Sequence, residues 1–298
     1  MVSSRQRSPL REVLDPVAAG AIAPNRVAVI TGAASGIGRA AALELAQLGL
    51  KIALADITAE QLEAVGREVA AIVGPNNVLV VPTDVSDLQQ VQALKEKVMD
   101  TWGEVAVLLN NAGIGTVGGS YKNIEGWHKV FSVNLWGVVN VQHTFVPVML
   151  SQENPSAIIN TGSKQGITNP PGNAAYNATK AAVKSLTESL AFELRQKPTK
   201  LTAHLFVPGW THTGLTKGNS AEKPPGAWTA TQTVLYMLER VRAGDFYILV
   251  PDNETTRELD QARIRWAAED LAENRPALSR WHPEFKSVFE EYIKENLA

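Results

Sequence analysis

The chain has 298 residues, 45% of them apolar and 19% charged, with a formal net charge of -2; that is enough for a sizeable core and gives no basic field for nucleic acid. It has no cysteine, which excludes disulfides, thiol catalysis and Cys-based metal sites, and its five His (His128, His143, His204, His212, His282) lack ligand-like spacing, so no metal is expected. No apolar run approaches the ~20 residues of a membrane span and the N-terminus lacks the apolar core of a signal peptide, so a cytoplasmic protein with no membrane or nucleic-acid partner is expected.

Residues 1 to 24 read as an N-terminal extension, rich in Arg, Ser and Pro without sustained periodicity. Arg5, Arg7 and Arg11 suit a transit peptide, but Glu12 and Asp15 spoil that pattern. From Arg26, short apolar β-branched runs alternate with longer amphipathic ones. The predicted strands are Val27 to Ile30, Ile52 to Ala55, Val78 to Val81, Val105 to Leu109, Ala157 to Ile159, Leu201 to Val207 and Phe246 to Val250. Helices are predicted over 36 to 48, 58 to 73, 87 to 102, 123 to 151, 174 to 196 and 229 to 243. Strands apolar on both faces that alternate with helices imply a parallel sheet covered on both sides. The expectation is an α/β domain over 25 to 251, a three-layer Rossmann-like doubly wound sheet of seven parallel strands.

The first strand runs into Thr31-Gly-Ala-Ala-Ser-Gly-Ile-Gly38 and then a helix. Glycines let the backbone turn tightly beside a pyrophosphate, and the helix N-terminus offers free N–H groups to it. Gly32, Ser35, Gly36, Ile37 and Gly38 are therefore candidate cofactor contacts. Asp56, about twenty residues on at the end of the second strand, is placed to accept hydrogen bonds from the adenosine ribose. Together they predict a dinucleotide. Further polar residues fall at the carboxyl ends of successive strands, where open α/β sheets bind ligands: Asp84-Val85, Asn110-Asn-Ala-Gly113, Thr161-Gly-Ser163 and Pro208-Gly-Trp-Thr-His-Thr213. Asn134 lies inside a helical pattern, where Asn diverts backbone hydrogen bonds; a kink or a positioned water is one reading, and an ordinary helix residue the other.

Tyr176 and Lys180 stand four apart in an Ala-rich helical run, so they share one face. A phenol of pKa about 10 holds its proton at neutral pH, and a neighbouring cation favours the phenolate. The pair reads as a proton donor and acceptor. Segment 208 to 228 accumulates Pro, Gly, Thr and Trp without periodicity and reads as a substrate loop or lid. After the last strand, 252 to 298 forms a tail, helical over about 254 to 273 and from Pro283 to Asn296. In the second helix Phe285, Val288, Phe289, Tyr292 and Ile293 follow the spacing of one buried face. That face either packs on the domain or a partner subunit, or covers the substrate opening.

These ordered motifs, from Thr-Gly-x3-Gly-Ile-Gly through Asn-Asn-Ala-Gly and Tyr-x-x-x-Lys to Pro-Gly-x3-Thr over about Arg26 to Pro251, resemble the short-chain dehydrogenase/reductase superfamily in its short single-domain branch. The resemblance implies that Tyr176 is the general acid/base, that Ser163 orients the substrate oxygen, and that Lys180 lowers the Tyr pKa and holds the nicotinamide ribose. It implies that Asn134 holds a water in a proton relay, that Asp84 and Val85 lie beside adenine, and that Thr211 and Thr213 lie beside the nicotinamide carboxamide and phosphates. Asn111, Ala112, Gly113, Pro208 and Gly209 complete the expected cofactor lining. Lys164 and Gln165 depart from the family, where small residues are common after the Ser, and Thr211 stands where Val or Ile is usual.

The expected function is an NAD(H)-dependent oxidoreductase interconverting a secondary alcohol and a ketone. Ser163, Gln165, Asn173 and Trp210 are the candidate substrate contacts. Alternatives are an NAD-binding regulatory protein without turnover, or a sugar-nucleotide epimerase or dehydratase. A homodimer or homotetramer is the assembly that the resemblance implies.

Overall fold

The computed structural model describes residues 16–115, 118–216 and 222–297. Seven parallel strands form one sheet in the order β3-β2-β1-β4-β5-β6-β9. They are β1 (Val27–Thr31), β2 (Lys51–Asp56), β3 (Val78–Pro82), β4 (Val107–Asn110), β5 (Ser156–Thr161), β6 (Leu201–Val207) and β9 (Tyr247–Leu249). Each predicted strand is present within a residue or two of its expected ends. Chain order reverses beside β1, whose neighbours are β2 and β4, and the carboxyl edge at such a switch point is where open α/β sheets bind ligands.

Helices cover both faces, as the buried strands require. On one face α2 (Gly36–Gln47), α3 (Ala59–Val73) and α9 (Ala230–Arg242) join a cluster that includes Ile30, Leu54 and Phe206. On the other, α4 (Leu88–Trp102), α6 (Gly137–Leu150) and α8 (Ala174–Arg195) enclose Leu108, Phe145 and Ile158. The predicted helix over 123 to 151 is interrupted. It runs as α5 (Ile124–Phe131), a π-helical turn (Ser132–Trp136) and α6, with Asn134 fully buried inside the π turn. Of the two readings of Asn134, the interrupted backbone is the one seen.

Order also begins earlier than Arg26. A short helix α1 (Pro16–Ala21) packs against α9, β5 and β6, with Ala18 and Ala21 wholly buried. Arg26 holds it by donating to Gly20 O at 2.9 Å and to Pro155 O at 2.7 Å, while pairing with Glu104 at 3.0 Å. Its six residues are small and too few to show a period. Residues 1–15 of the expected extension lie outside the described residues, as do 217–221 of the 208 to 228 loop. That loop includes a small pair, β7 (Thr211–His212) beside β8 (Trp228–Thr229).

The tail forms α10 (Arg257–Ala272) and α11 (Lys286–Leu297). It docks on its own domain: α10 packs on α7 (Gln165–Thr168), the short helix that follows Ser163. Phe289 and Tyr292 of α11 meet Trp266 of α10 edge-on at 5.3 and 5.0 Å, whereas Val288 of the same expected face is 49% exposed. No helix among the described residues is long and apolar enough to cross a membrane.

Candidate active site

The turn between β1 and α2 is built so that only glycine fits. Gly32 and Gly36 have φ of +67° and +54°, and a Cβ on Gly38 would stand 2.0 Å from Gly32 O. The first turn of α2 therefore opens at the crevice with Ser35, Gly36, Ile37 and Gly38 at its mouth, a cradle that fits a pyrophosphate. Asp56 closes one side. Its Oδ2 accepts from Ala34 N at 3.1 Å, and its Oδ1 from Thr58 N at 3.0 Å and Thr58 Oγ1 at 2.6 Å. Of about four lone-pair positions on a carboxylate, one on Oδ2 is left for a ribose hydroxyl. Arg39, in the first turn of α2, is turned onto Glu68 of α3.

Farther along the edge, Asp84 Oδ1 is occupied by Ser86, and buried Val85 accepts from Asn140 through its carbonyl. Thr31 Oγ1 accepts from the backbone of both Asn111 and Ala112, and Asn111 donates back to Thr31 O at 3.2 Å. This stitches the ends of β1 and β4 into one floor. Thr31 is a positioning residue that motif reading passed over, although a hydroxyl ending an otherwise apolar strand marked it. A Cβ on Gly113 would lie 3.4 Å from Asn134 Oδ1 and 3.7 Å from Lys180 Nζ, so those two side chains converge there.

The Asn134 side chain is held by Ile114, accepting from its backbone N–H at 2.8 Å and donating to its carbonyl at 2.9 Å. Thr211 turns its hydroxyl inward to Thr233 and to Gly209 O, whereas Thr213 lies against Gly36. The turn after β6 is held tightly: a Cβ on Gly209, beside Pro208, would meet Pro251 O at 2.7 Å.

Tyr176 and Lys180 project from one face of α8 as their spacing requires. The phenol is hydrogen-bonded to the Ser163 hydroxyl; burial pushes its pKa above the usual tyrosine value, and the Ser163 bond opposes this. The expected lowering by Lys180 is therefore not supplied by the protein groups alone: burial is the largest cause, and Lys180, with Nζ 5.7 Å from the ring centroid, is not among the groups that lower it. Lys180 donates to Thr161 O at 2.8 Å, and burial brings it down to about 8. At neutral pH it is mostly charged.

That charge costs stability. The unfolded chain holds the Lys180 proton at an ordinary 10.5, so the native state is penalised by about 3 kcal/mol below pH 8, and the penalty fades as pH rises from about 8 to 10.5. Lys180→Met gives up one hydrogen bond to Thr161 O, worth about 1 to 2 kcal/mol. It should still be about 1 to 2 kcal/mol more stable than the parent at pH 7, with the difference shrinking at pH 10. Urea unfolding at both pH values checks this, and a less stable variant at pH 7 contradicts it.

Gly166 lets α7 press onto α8, since a Cβ there would stand 2.4 Å from the Lys180 backbone carbonyl carbon. This holds the segment that carries Ser163 beside Tyr176. Gln165 Oε1 and Asn173 Oδ1 are buried without a partner, and Trp210 is 37% exposed. Lys164 points the other way, pairing with Asp260 of α10 at 2.6 Å and Asp252 at 3.3 Å. Asp252 also accepts from Trp210 N at 2.9 Å. Burial alone would raise Asp252, but the Trp210 N–H and Lys164 outweigh it and hold it low; Asp260 stays raised by burial despite Lys164.

The tail thus ties together the segments that follow Ser163 and β6. Deletion after Pro251 removes both carboxylates, leaves the Lys164 ammonium to solvent and uncovers the surface against which Ala262 and Trp266 are buried. A lower melting temperature is the expected result. A thermal melt checks this; an unchanged Tm and unchanged kinetics would make the tail dispensable.

Comparison with known proteins gives a consistent result. The family model described as short chain dehydrogenase matches residues 26–224. The 3-oxoacyl-[acyl-carrier-protein] reductase of Thermotoga maritima is 38% identical over 193 residues, 64% of this chain and 76% of that one. Among solved structures, a short chain dehydrogenase/reductase from Burkholderia phymatum in complex with NAD superposes with a TM-score of 0.77 at 33% identity, over 85% of this chain and 96% of the other. An alcohol dehydrogenase from the archaeon Thermococcus sibiricus, complexed with 5-hydroxy-NADP, gives a TM-score of 0.68 at 26% identity, over 78% and 97% of the two chains.

Proposed function

The chain belongs to the short chain dehydrogenase family of oxidoreductases, and from that membership we propose that it interconverts a secondary alcohol and a ketone with NAD(H). The observation that carries this reading is the convergence of the Ser163 hydroxyl, the Tyr176 phenol and the Lys180 ammonium at the carboxyl edge of the sheet. When bound, the nicotinamide supplies the hydride acceptor or donor. The glycine turn would hold its pyrophosphate, Asp56 its adenosine ribose, and Lys180 the nicotinamide ribose. Asp84 and Val85 would flank the adenine; Asn111, Ala112, Gly113, Pro208, Gly209, Thr211 and Thr213 would line the remainder.

Ser163 donates to the substrate oxygen and orients it, while Tyr176 exchanges the proton on that oxygen, so charge does not accumulate as the carbon changes oxidation state. Bringing a phenol from about pKa 10 to neutrality is worth about 4 kcal/mol, and Lys180 is the cation available to contribute. Asn134, held by its two hydrogen bonds to Ile114, would use its remaining donor and acceptor for the water of a proton relay. Gln165 and Asn173 give a substrate two buried acceptors, and Trp210 an apolar wall. Names among the relatives, a 3-oxoacyl reductase and an alcohol dehydrogenase, support alcohol/ketone chemistry. Exposed Trp136 and Phe192, each 58% accessible, favour association into a homodimer or homotetramer.

A panel of secondary alcohols and ketones, followed at the absorbance band of the reduced cofactor, tests the reading. Turnover of at least one pair is expected. Tight NAD binding with no turnover on any of them would favour a binding protein instead.

A further inference from the structure

Between α7 and the tail lies a cavity of about 480 Å³ that none of the steps above uses. Ile167 and its neighbours form one wall; Arg263, Trp266, Asp270, Arg280 and Trp281 lie on the other. This wall belongs to the tail, α10 and the segment between α10 and α11.

The charges around the cavity balance in number but are unevenly placed, with the carboxylates gathered on Arg275 and Lys164. Arg275 is answered by Asp270 at 3.0 Å and Glu269 at 3.4 Å, and Asp270 also accepts from Ser279 N. Lys164 takes Asp260 and Asp252. Arg263 and Arg280 are left over: among the described residues neither has a carboxylate at ion-pair distance. Arg263 makes one hydrogen bond, to Thr255 Oγ1 at 3.3 Å, and Arg280 stacks 4.7 Å above Trp281 and 5.3 Å from Phe289. Both are half-buried; burial together with the nearby Arg263 charge pulls Arg280 down to about 10, with Asp260 opposing. The two guanidiniums feel each other's charge and share only the field of Asp260, which is paired with Lys164, so an anion placed between them at this apolar-walled cavity is favoured. A guanidinium's planar donors match carboxylate and phosphate oxygens, and the tryptophans suit a flat or apolar body.

We propose that this cavity binds a small molecule bearing a carboxylate or phosphate on an apolar body, with the oxyanion held by Arg263 and Arg280 and the body against Trp281. Anion binding here does not require the Tyr176 chemistry and is tested apart from it.

Isothermal titration of the full-length protein, saturated with NAD so that its pyrophosphate site is filled, tests this with phenylacetate and phenyl phosphate at fixed ionic strength. Saturable binding of at least one is expected, with neutral benzyl alcohol at least about tenfold weaker. Arg263→Met and Arg280→Met should each weaken it by about tenfold or more. If a Met variant does not fold, Arg263→Lys and Arg280→Lys keep the charge without the forked donors and should still weaken binding several-fold, by roughly the difference between a bidentate and a single contact. No saturable binding of either anion, or binding indifferent to the arginine variants, overturns the proposal. Inhibition kinetics then separate the two sources of the anion: competition with an active alcohol makes the cavity the acid-binding end of the substrate site, and binding without competition makes it a distinct effector site.

Discussion

Tyr176→Phe is expected to lower the turnover number by at least about a hundredfold while NAD affinity stays within a few-fold of the parent. The substitution keeps the ring, the helix position and the half-buried packing, and removes only the hydroxyl that bonds to Ser163. Burial holds the phenol protonated, which suits a proton donor for ketone reduction. For alcohol oxidation the same group must first lose its proton, so that direction should gain rate as pH rises. Steady-state rates with a substrate from the activity panel, together with a titration of NAD binding, measure both quantities. Near-normal turnover would remove Tyr176 from the chemistry.

The second large effect is cofactor choice, where NAD should be preferred over NADP by roughly thirty- to several-hundredfold in kcat/KM. NADP brings a 2'-phosphate of about two negative charges towards the Asp56 carboxylate; at ~4 Å and an effective dielectric near 20 each charge pair repels by about 4 kcal/mol, and relaxation and screening should leave about 2 to 4 kcal/mol. No cation compensates from the usual places: Ser35 precedes the second glycine and Ile57 follows the acid. Arg39 is engaged with Glu68, and although that exposed pair is worth no more than about 1 kcal/mol, a single solvated guanidinium recovers too little to cancel the repulsion. Asp56→Ala should narrow the gap, chiefly by losing NAD affinity. Equal kcat/KM values for the two cofactors in the parent would refute the assignment of Asp56.

What the sequence made legible follows from covalent spacing. The seven strands read as apolar runs because a doubly covered parallel sheet buries both faces, and the glycine turn reads because Gly32, Gly36 and Gly38 occupy places that exclude a Cβ. Tyr176 and Lys180 needed only the helical repeat. The remainder depends on contacts between residues far apart in the chain. Nothing in the Ser163-Lys164-Gln165 run announces that Lys164 reaches Asp252 and Asp260, and the null periodicity of Pro16–Ala21 hides a helix made of residues too small to mark a face. The Tyr176 pKa was the instructive case. Adjacency to a cation predicts lowering, but desolvation is set by surrounding structure and here it is the larger effect. Gly166 shows the same limit, since its role is to admit the α8 backbone and no local pattern carries that information.

Direct transfer between the alcohol carbon and NAD is the central claim, and isotope tracing reaches it without intermediaries. An active secondary alcohol carrying deuterium on its carbinol carbon should give reduced cofactor with one deuterium per turnover, none lost to water, while Tyr176→Phe gives almost no reduced cofactor. Deuterium washed into solvent, or no reduced cofactor from any alcohol while NAD binds, would contradict it.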